Sequence, residues 1–507
     1  MAMDGNKPLI SGIAPGQPVC RAAQAGADRF FAQGYALQQR GEREQAVTCY
    51  AAGLALVPTD ANVWRQYLLL LRQLGRLEQA LAASETALDY LPTDAALWEE
   101  RADLLLSLDH DEEAIVTCER TLAMNSKSST LWHLYGRALA NADRFDEALV
   151  AYNRALYLDR RNPYIWANRA RAYRLLRQYD QALVSAQRGI QVAPNAYGWH
   201  ALGHVFLAQQ QFYAALEVYT LIIIAREIGK EPADALAWIN RGVALMGLKR
   251  YSEALFAFEQ ALALDSSAHA WNNVATALVH LRRSGEALPQ LERALELNPT
   301  FTDAWVSKGE ALVALRRPQE ALAALDEALK RDDRYGPALV YKGKALTEMG
   351  KYAEAKEAFR QALAPDALAR TTSASITHAE GAEGLGEVYL LQGYPQAALV
   401  ALDSALEHDP LLASAWRHKA EALRALGNEQ QAQAAAQRAD ALDAEQQRPL
   451  PDVINLSKSP EARLYAQMER RVARQQFLRL LPGYLMWGVL LLLCAIAAAL
   501  IVLIGRH

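Results

Sequence analysis

The sequence predicts an all-α fold: a solenoid of about twelve helix-turn-helix units, followed by a single C-terminal transmembrane helix. Three observations support this prediction. An alanine recurs about every 34 residues, a tryptophan recurs 16 residues before it, and 23 uncharged residues stand near the C-terminus. A unit of about 34 residues accommodates two short helices and two turns.

The composition is that of a folded chain with a large apolar core. Of the 507 residues, 52% are hydrophobic and 22% are charged, so we expect most of the chain to bury apolar surface. The net charge of -4 is too small to indicate a nucleic-acid partner, and we predict none. We also expect no metal and no other cofactor. The cysteines lack any metal-ligand spacing and are typical of a reducing compartment without disulfides: Cys20, Cys49, Cys118 and Cys494.

Residues 1–26 are predicted to be a flexible leader. Their short apolar stretch "PLISGIA" is broken by proline and glycine, unlike the long apolar segment of a secretory signal. We therefore expect no secretory signal, and we place the array of about twelve repeats at residues 27–443.

The repeats are defined by two residue types at fixed positions. The tryptophan site holds nine of the ten tryptophans of the chain, so the pattern is not an effect of composition. Those tryptophans are Trp64, Trp98, Trp132, Trp166, Trp199, Trp238, Trp271, Trp305 and Trp416. The alanine site holds Ala46, Ala80, Ala114, Ala148, Ala182, Ala215, Ala254, Ala287, Ala321, Ala355, Ala398 and Ala432.

Glycines mark two further positions in the unit. A glycine four residues after the tryptophan site, such as Gly136 or Gly343, costs helix stability, so its recurrence indicates close helix packing. We expect a bulky residue one turn away on the same helix to fill the space beside it. Gly75, Gly350 and Gly393 are predicted to end the first helix of their units with positive φ.

These residues resemble the tetratricopeptide repeat signature, a series of Trp, Leu-Gly, Tyr, Ala, Phe, Ala and Pro. Residues 199–219, "WHALGHVFLAQQQFYAALEVY", match it nearly throughout. The resemblance covers most of the chain and implies a right-handed superhelix whose concave surface is lined by the first helix of each unit. Two segments, 220–235 and 363–381, exceed the period; each is either a longer helix or polar loop, or a partner-binding insertion.

The resemblance also implies a map of the groove, because side chains at -2, +1, +2, +5 and +8 from the tryptophan site point inward. The fourth to sixth units contribute arginines, histidines and tyrosines that suit an extended acidic peptide. The third unit offers Glu99, Glu100 and Asp103 instead, so the groove changes sign. The predicted partner-binding residues are His133, Arg137, Tyr164, Asn168, Arg171, Arg174, Tyr197, His200, His204, Asn240, Asn272 and Asn273.

Other readings of these positions stay open. Asn168, Asn240 and Asn273 share the +2 offset, which is similar to the asparagine ladder of the O-GlcNAc transferase array, but Ala201 interrupts it. A solvated helix face is the alternative for each groove residue. A recurring basic residue at +3 is read as an ordinary repeat position whose stem packs while its charge reaches water: Arg101, Arg169, Arg241, Lys308 and Lys419.

The C-terminal segment is predicted to anchor the chain in a membrane. Residues 444–459 are interpreted as a linker, 460–482 as a basic juxtamembrane helix and 483–505 as the transmembrane helix. Tyr484 and Trp487 stand at one end of the span, where interfacial aromatics are typical. Arginines flank it on the upstream side, which predicts a single-pass protein with its array in the cytoplasm: Arg470, Arg471, Arg474 and Arg479.

The predicted function is that of a membrane-anchored scaffold or adaptor, which binds protein partners in its groove and recruits or assembles them at the membrane. The alternatives are a docking receptor for chaperoned precursor proteins and a non-catalytic subunit of an enzyme complex. We do not expect an enzyme, because the sequence contains no Gly-rich phosphate loop, HExxH or GxSxG motif. Partners are expected to be proteins and, through the C-terminal helix, membrane lipids; self-association of the array is a further possibility.

Overall fold

A computed structural model describes residues 21–229, 232–365, 367 and 374–447. These residues form 24 helices, numbered α1 to α24 here, and every regular element among them is an α-helix. The chain divides into two compact units, one ending at Gln209 and the other beginning at Gln210. The prediction of an all-α array of short helices is confirmed for this part of the chain.

Unit 1 contains eleven of the described helices, in which the odd-numbered helix is the first of each repeat. They are α1 Arg21–Gln39, α2 Arg43–Leu56, α3 Ala61–Gln73, α4 Leu77–Tyr90, α5 Ala95–Ser107, α6 Asp111–Met124, α7 Ser129–Asn141, α8 Phe145–Leu158, α9 Pro163–Leu175, α10 Tyr179–Val192 and α11 Ala196–Ala208.

Unit 2 contains the other thirteen. They are α12 Phe212–Gly229, α13 Ala235–Gly247, α14 Tyr251–Leu264, α15 Ala268–His280, α16 Ser284–Leu297, α17 Thr302–Ala314, α18 Pro318–Leu329, α19 Gly336–Glu348, α20 Tyr352–Ala362, α21 Ala374–Leu391, α22 Pro395–His408, α23 Ala413–Ala425 and α24 Glu429–Gln447.

Local sequence sets where the first helices begin and end. Asp60 caps α3 by accepting hydrogen bonds from the backbone N–H groups of Asn62 and Val63, at 2.9 and 3.2 Å. At the other end, Gly75, Gly350 and Gly393 have φ between 73° and 77°, which confirms the predicted turn glycines. Seven equivalent turns use a residue other than glycine at φ of 57° to 60°: Asp109, Asp143, Arg177, Gln210, Lys249, Arg282 and Arg316.

The repeated small residues lie at the contact between the two helices of a repeat. All twelve alanines of the alanine site have no exposed surface. A methyl group placed on Gly136 would lie 2.6 Å from Cε1 of Tyr152, on the second helix of the same repeat. Gly343 faces Phe359 in the same way, with 2.6 Å to Cε1. The space beside the glycine is therefore filled by a side chain 16 residues later, and the predicted neighbour on its own helix was wrong.

The element boundaries differ from the predicted ones in a few places. Helix α1 is described from Arg21, six residues before the predicted start of the array, and four of its first seven residues are alanine, the strongest helix former. Helix α24 continues to Gln447, four residues into the predicted linker. Each of the two segments that exceed the period overlaps a helix of 18 residues, Phe212–Gly229 or Ala374–Leu391, in agreement with the longer-helix explanation.

The predicted membrane anchor lies outside the described residues. This holds for the helices predicted at 460–482 and 483–505 and for all six membrane-flanking residues: Arg470, Arg471, Arg474, Arg479, Tyr484 and Trp487. Within residues 21–447, as far as the structure describes them, none of the helices combines the length and apolar composition needed to cross a bilayer.

Candidate protein-binding face

The recurring tryptophans hold the turn that precedes each first helix. In six repeats the indole N–H donates a hydrogen bond of 2.8 to 3.0 Å to the backbone carbonyl six residues earlier. This bond ties the end of one repeat to the start of the next, so it orients the first helix. The pairs are Trp64 with Pro58, Trp98 with Pro92, Trp132 with Ser126, Trp166 with Arg160, Trp305 with Pro299 and Trp416 with Pro410.

Three predicted groove residues of unit 1 form one hydrogen-bonded chain across three first helices. Tyr197 on α11 donates to Oδ1 of Asn168 on α9 at 2.7 Å, and Nδ2 of Asn168 lies 2.8 Å from Nε2 of His133 on α7. The ring of Tyr164 lies 5.5 Å from the ring of Tyr197, centroid to centroid. Asn168 is 8% exposed, whereas Tyr164 and Tyr197 are 51% and 45% exposed. A buried amide thus holds the hydroxyl of Tyr197, whose ring lies beside that of Tyr164, and both tyrosines face solvent.

The histidine of this chain is held in its neutral form. Burial, together with the charge of Arg137, lowers the pKa of His133 from 6.5 to about 4, against an opposing effect of Asp103. The hydrogen bond has the same consequence, because the Asn168 amide offers its N–H to Nε2, which must then be the unprotonated nitrogen.

Arg137 forms an ion pair within the protein. Its guanidinium contacts Oδ1 of Asp103 at 3.0 Å, and Arg72 contacts the same carboxylate at 2.8 Å and Glu100 at 3.2 Å. The predicted change of sign between the third and fourth units is therefore a set of ion pairs between neighbouring first helices. These charges largely neutralise one another, so Arg137 offers little positive charge to a ligand.

The arginines of this face, Arg171 and Arg174, both lie on α9. Burial and the charges of Arg174, His200 and Arg171 lower the pKa of His204 to about 4. The rings of His200 and His204 lie 6.2 Å apart. Arg171 is exposed and forms no ion pair with the described residues. We call the side chains of Tyr164, Asn168, Arg171, Tyr197 and His204 the inner face of unit 1.

The amide-rich stretch predicted for unit 2 is mostly buried. Asn240 and Asn272 are each 8% exposed, and Asn273 is half-buried. Oδ1 of Asn272 has no hydrogen-bond partner among the described residues. Only Asn273 of this group therefore offers a partly accessible amide.

Sequence reasoning missed a charged cluster on the first helices of unit 2. Nζ of Lys344 on α19 lies 3.9 Å from Glu380 on α21. Burial opposes the charge of Lys344, but Glu380, Glu383, Glu310 and Glu387 together raise its pKa. These residues occupy groove offsets. The repeats of α19 and α21 contain no tryptophan at the tryptophan site, so a groove map built from the tryptophans did not include Lys344 and Glu380.

Three of the five predicted basic residues at +3, and Lys342 at the same position of its own repeat, form ion pairs, which the prediction that these charges reach water did not include. Each of these cations contacts an acidic residue of the preceding second helix, 16 positions earlier in the chain, so the same ion pair recurs in several repeats. The pairs are Arg101 with Glu85 at 2.9 Å, Lys308 with Glu292 at 3.7 Å, Lys342 with Asp326 at 2.8 Å and Lys419 with Asp403 at 2.6 Å. Arg241 instead donates to Thr220 at 3.3 Å.

No group of three or more metal-ligating side chains is arranged to hold a metal ion within the described ranges. The chemistry offered by the inner face of unit 1 is therefore that of hydrogen bonding, guanidinium charge and exposed aromatic surface.

Comparisons with solved structures found several helical-repeat proteins. A crystal structure of the APC/C hetero-tetramer Cut9-Hcn1 is 15% identical and covers 82% of this chain and 96% of that chain, with a TM-score of 0.42. A crystal structure of TTC0263, a thermophilic TPR protein in Thermus thermophilus, is 26% identical and covers 38% of this chain and 100% of that chain, with a TM-score of 0.34. A comparison with curated proteins found no match.

Family models of the tetratricopeptide repeat match several parts of the chain. They match residues 31–89, 68–129, 129–162, 151–184, 235–267, 272–337 and 337–364. Together these segments cover more than half of the 507 residues. The chain belongs to the tetratricopeptide repeat family.

Proposed function

We propose that this protein is a membrane-anchored scaffold, and that the inner face of unit 1 binds an extended acidic segment of a partner protein. Its membership of the tetratricopeptide repeat family makes it a protein-interaction scaffold. The observation that supports the finer proposal is a pair of exposed tyrosines, one of them fixed by a buried hydrogen-bonded chain, on the same face as the exposed Arg171.

The arrangement is suited to a peptide for physical reasons. Rotamers that are already fixed lose little entropy on binding, and Asn168 and His133 hold Tyr197 before any ligand arrives. A guanidinium binds a carboxylate bidentately, and tyrosine rings cover the apolar parts of a peptide. The neutral state of His204, next to two arginines, limits mutual repulsion on the face at neutral pH.

The membrane part of the proposal rests on residues 483–505. Their 23 uncharged residues are long enough to span a hydrocarbon core of ~30 Å, and the upstream arginines favour a cytoplasmic array. In this arrangement the scaffold is not an enzyme. It raises the local concentration of its partners at the membrane surface, where two-dimensional confinement favours assembly.

The experiment is crosslinking in intact membranes, followed by identification of the captured proteins. We compare the full chain, a chain lacking 483–505 and the double variant Arg171→Gln, Arg174→Gln. A matched control, Arg40→Gln with Arg43→Gln, removes two exposed charges of unit 1 elsewhere. We expect the double variant to lose partners with acidic segments and the shortened chain to leave the membrane fraction. Full retention of partners by the double variant would contradict the peptide proposal, and membrane retention of the shortened chain would contradict the anchor.

A further inference from the structure

One repeat of unit 1 lacks the acidic partner of its +3 residue. At the position 16 residues before Arg169 stands Asn153, where four other repeats have the aspartate or glutamate described above. Arg169 forms no ion pair with the described residues, and its Nε is buried without a hydrogen-bond partner. Within the described ranges, its one hydrogen bond runs from a terminal nitrogen to the Tyr173 hydroxyl at 3.3 Å. A guanidinium in this position retains unused donors.

Arg169 borders a cavity of about 660 Å³ between α8, α9 and α10. The charged residues among its described lining are all arginines. Trp166 and Tyr157 supply aromatic surface, and Tyr157 is 69% exposed. The residues on which the argument depends are Asn153, Tyr157, Arg160, Trp166, Arg169 and Arg188.

The chain contains an internal comparison for this cavity. A cavity of about 620 Å³ lies two repeats earlier, at positions shifted by 68 residues, beside Trp98. There Arg101 and Arg120 are balanced by Glu85 and Asp89, so the charged lining is neutral. In the later cavity, Asn153 and Tyr157 replace those two acids, and Arg160 replaces a proline. The same fold position has thus lost both carboxylates and gained a cation.

The arginine at the centre of this cavity is held in place. The guanidinium of Arg169 lies 5.4 Å from the ring of Trp166 and 5.2 Å from that of Tyr173. Cation–π contact on two rings fixes the plane of the guanidinium without neutralising its charge. An incoming carboxylate therefore meets an oriented donor, as Glu85 does in the earlier repeat.

We propose that this cavity is a second docking site, which binds an aspartate or glutamate side chain in an acidic segment of a partner protein. The partner's carboxylate takes the place that the chain's own carboxylate occupies in the equivalent repeats. The site is separate from the inner face, because Trp166 and Arg169 lie on one side of α9 while Asn168 and Arg171 lie about 200° further round the helix. It therefore goes beyond the groove function proposed above.

The test uses the full chain in detergent micelles and a fluorescein-labelled, C-terminally amidated tetraglutamate peptide, with fluorescence anisotropy as the measurement. Asn153→Glu restores the internal carboxylate, and in the Arg171→Gln, Arg174→Gln background, where the inner face lacks its arginines, we expect it to weaken peptide binding at least about tenfold. The matched control Asn153→Gln keeps the site neutral and should remain within about twofold of wild type. Both changes are made at an exposed position of α8, and thermal unfolding checks that each variant is folded.

The same titration in the Arg171→Gln, Arg174→Gln background separates this site from the inner face. We expect binding to persist there and to be lost when Asn153→Glu is added. Three results would overturn the proposal: unchanged affinity when Asn153→Glu is added to the inner-face variant, loss of all binding in the inner-face variant alone, or displacement of the peptide by an equal concentration of inorganic phosphate.

Discussion

The substitution Gly136→Ala tests whether helix spacing within a repeat is set by a glycine on one helix and a large side chain on the other. The added methyl group would lie 2.6 and 2.7 Å from Cε1 and Cδ1 of Tyr152, distances that a buried ring cannot accommodate without displacement. Tyr152 is only 1% exposed, so it has no solvent-filled space into which to move.

The magnitude follows from two opposing effects. Overpacking a well-filled core costs about 1–3 kcal/mol, whereas alanine in place of glycine stabilises a helix by roughly 0.5–1 kcal/mol. We therefore expect Gly136→Ala to lower the free energy of unfolding by about 1–2 kcal/mol. In a Tyr152→Ala background the obstacle is absent, and the same change should raise it by roughly 0.5–1 kcal/mol.

The assay is a double-mutant cycle, measured by urea unfolding and by hydrogen exchange of the amides of α7 and α8. Gly285→Ala serves as a control, because no atom lies within 4 Å of the position of its new methyl group. This control should be neutral or slightly stabilising. Equal costs for Gly136→Ala with and without the Tyr152 ring would refute the reasoning.

Three further predictions concern turns, pH and charge. Arg282→Gly, at φ 60°, should stabilise the protein by about 0.5–1 kcal/mol, while Gly350→Ala, at φ 74° in open space, should destabilise it by about 1 kcal/mol. Thermal unfolding measures both changes, and a change of the same sign in the two variants would contradict the prediction. The folded-state pKa values of His133 and His204 are lowered to about 4, so their stabilising effect is complete above pH ~6.5 and is lost as pH falls toward 4. Between pH 7 and pH 5, urea unfolding should show a decrease in the free energy of unfolding of roughly 2 kcal/mol for each histidine, and His133→Gln should remove the contribution of His133. The same pH dependence of stability in that variant and in the wild type would contradict this prediction. Lys344→Met should lower the free energy of unfolding by about 1–2 kcal/mol at pH 7, because its acidic neighbours lose their cation, and this loss should be smaller near pH 5. A loss that is the same at both pH values would contradict the prediction.

The sequence was sufficient to predict the repeat itself. Ala148 and its equivalents, Gly75 in its turn and the helix pair around Gly136 are dictated by local geometry, which is the same in every unit and therefore leaves a periodic trace. The over-long second helix, Phe212–Gly229, was predictable for a different reason: its apolar run continues past the usual end.

Side-chain partners between repeats were less predictable. The pairing of Arg137 with Asp103 depends on the register of two first helices, which no motif records, so a paired arginine was counted as a ligand site. The cluster around Lys344 was missed because no tryptophan marks its repeat. The asparagine at position 153 becomes informative only after the structure shows that its counterpart, Glu85, forms an ion pair with Arg101.

The most direct test of the central claim is site-specific photocrosslinking in intact membranes. A benzoylphenylalanine at Tyr164, on the inner face of unit 1, is compared with one at Val400, an exposed residue (71%) of the second helix α22. We predict that a partner protein crosslinks through an acidic segment at position 164, that the yield falls in the Arg171→Gln, Arg174→Gln background, and that position 400 gives no such product. Equal labelling at both positions, or labelling at 164 that is unaffected by loss of the two arginines, would contradict the account.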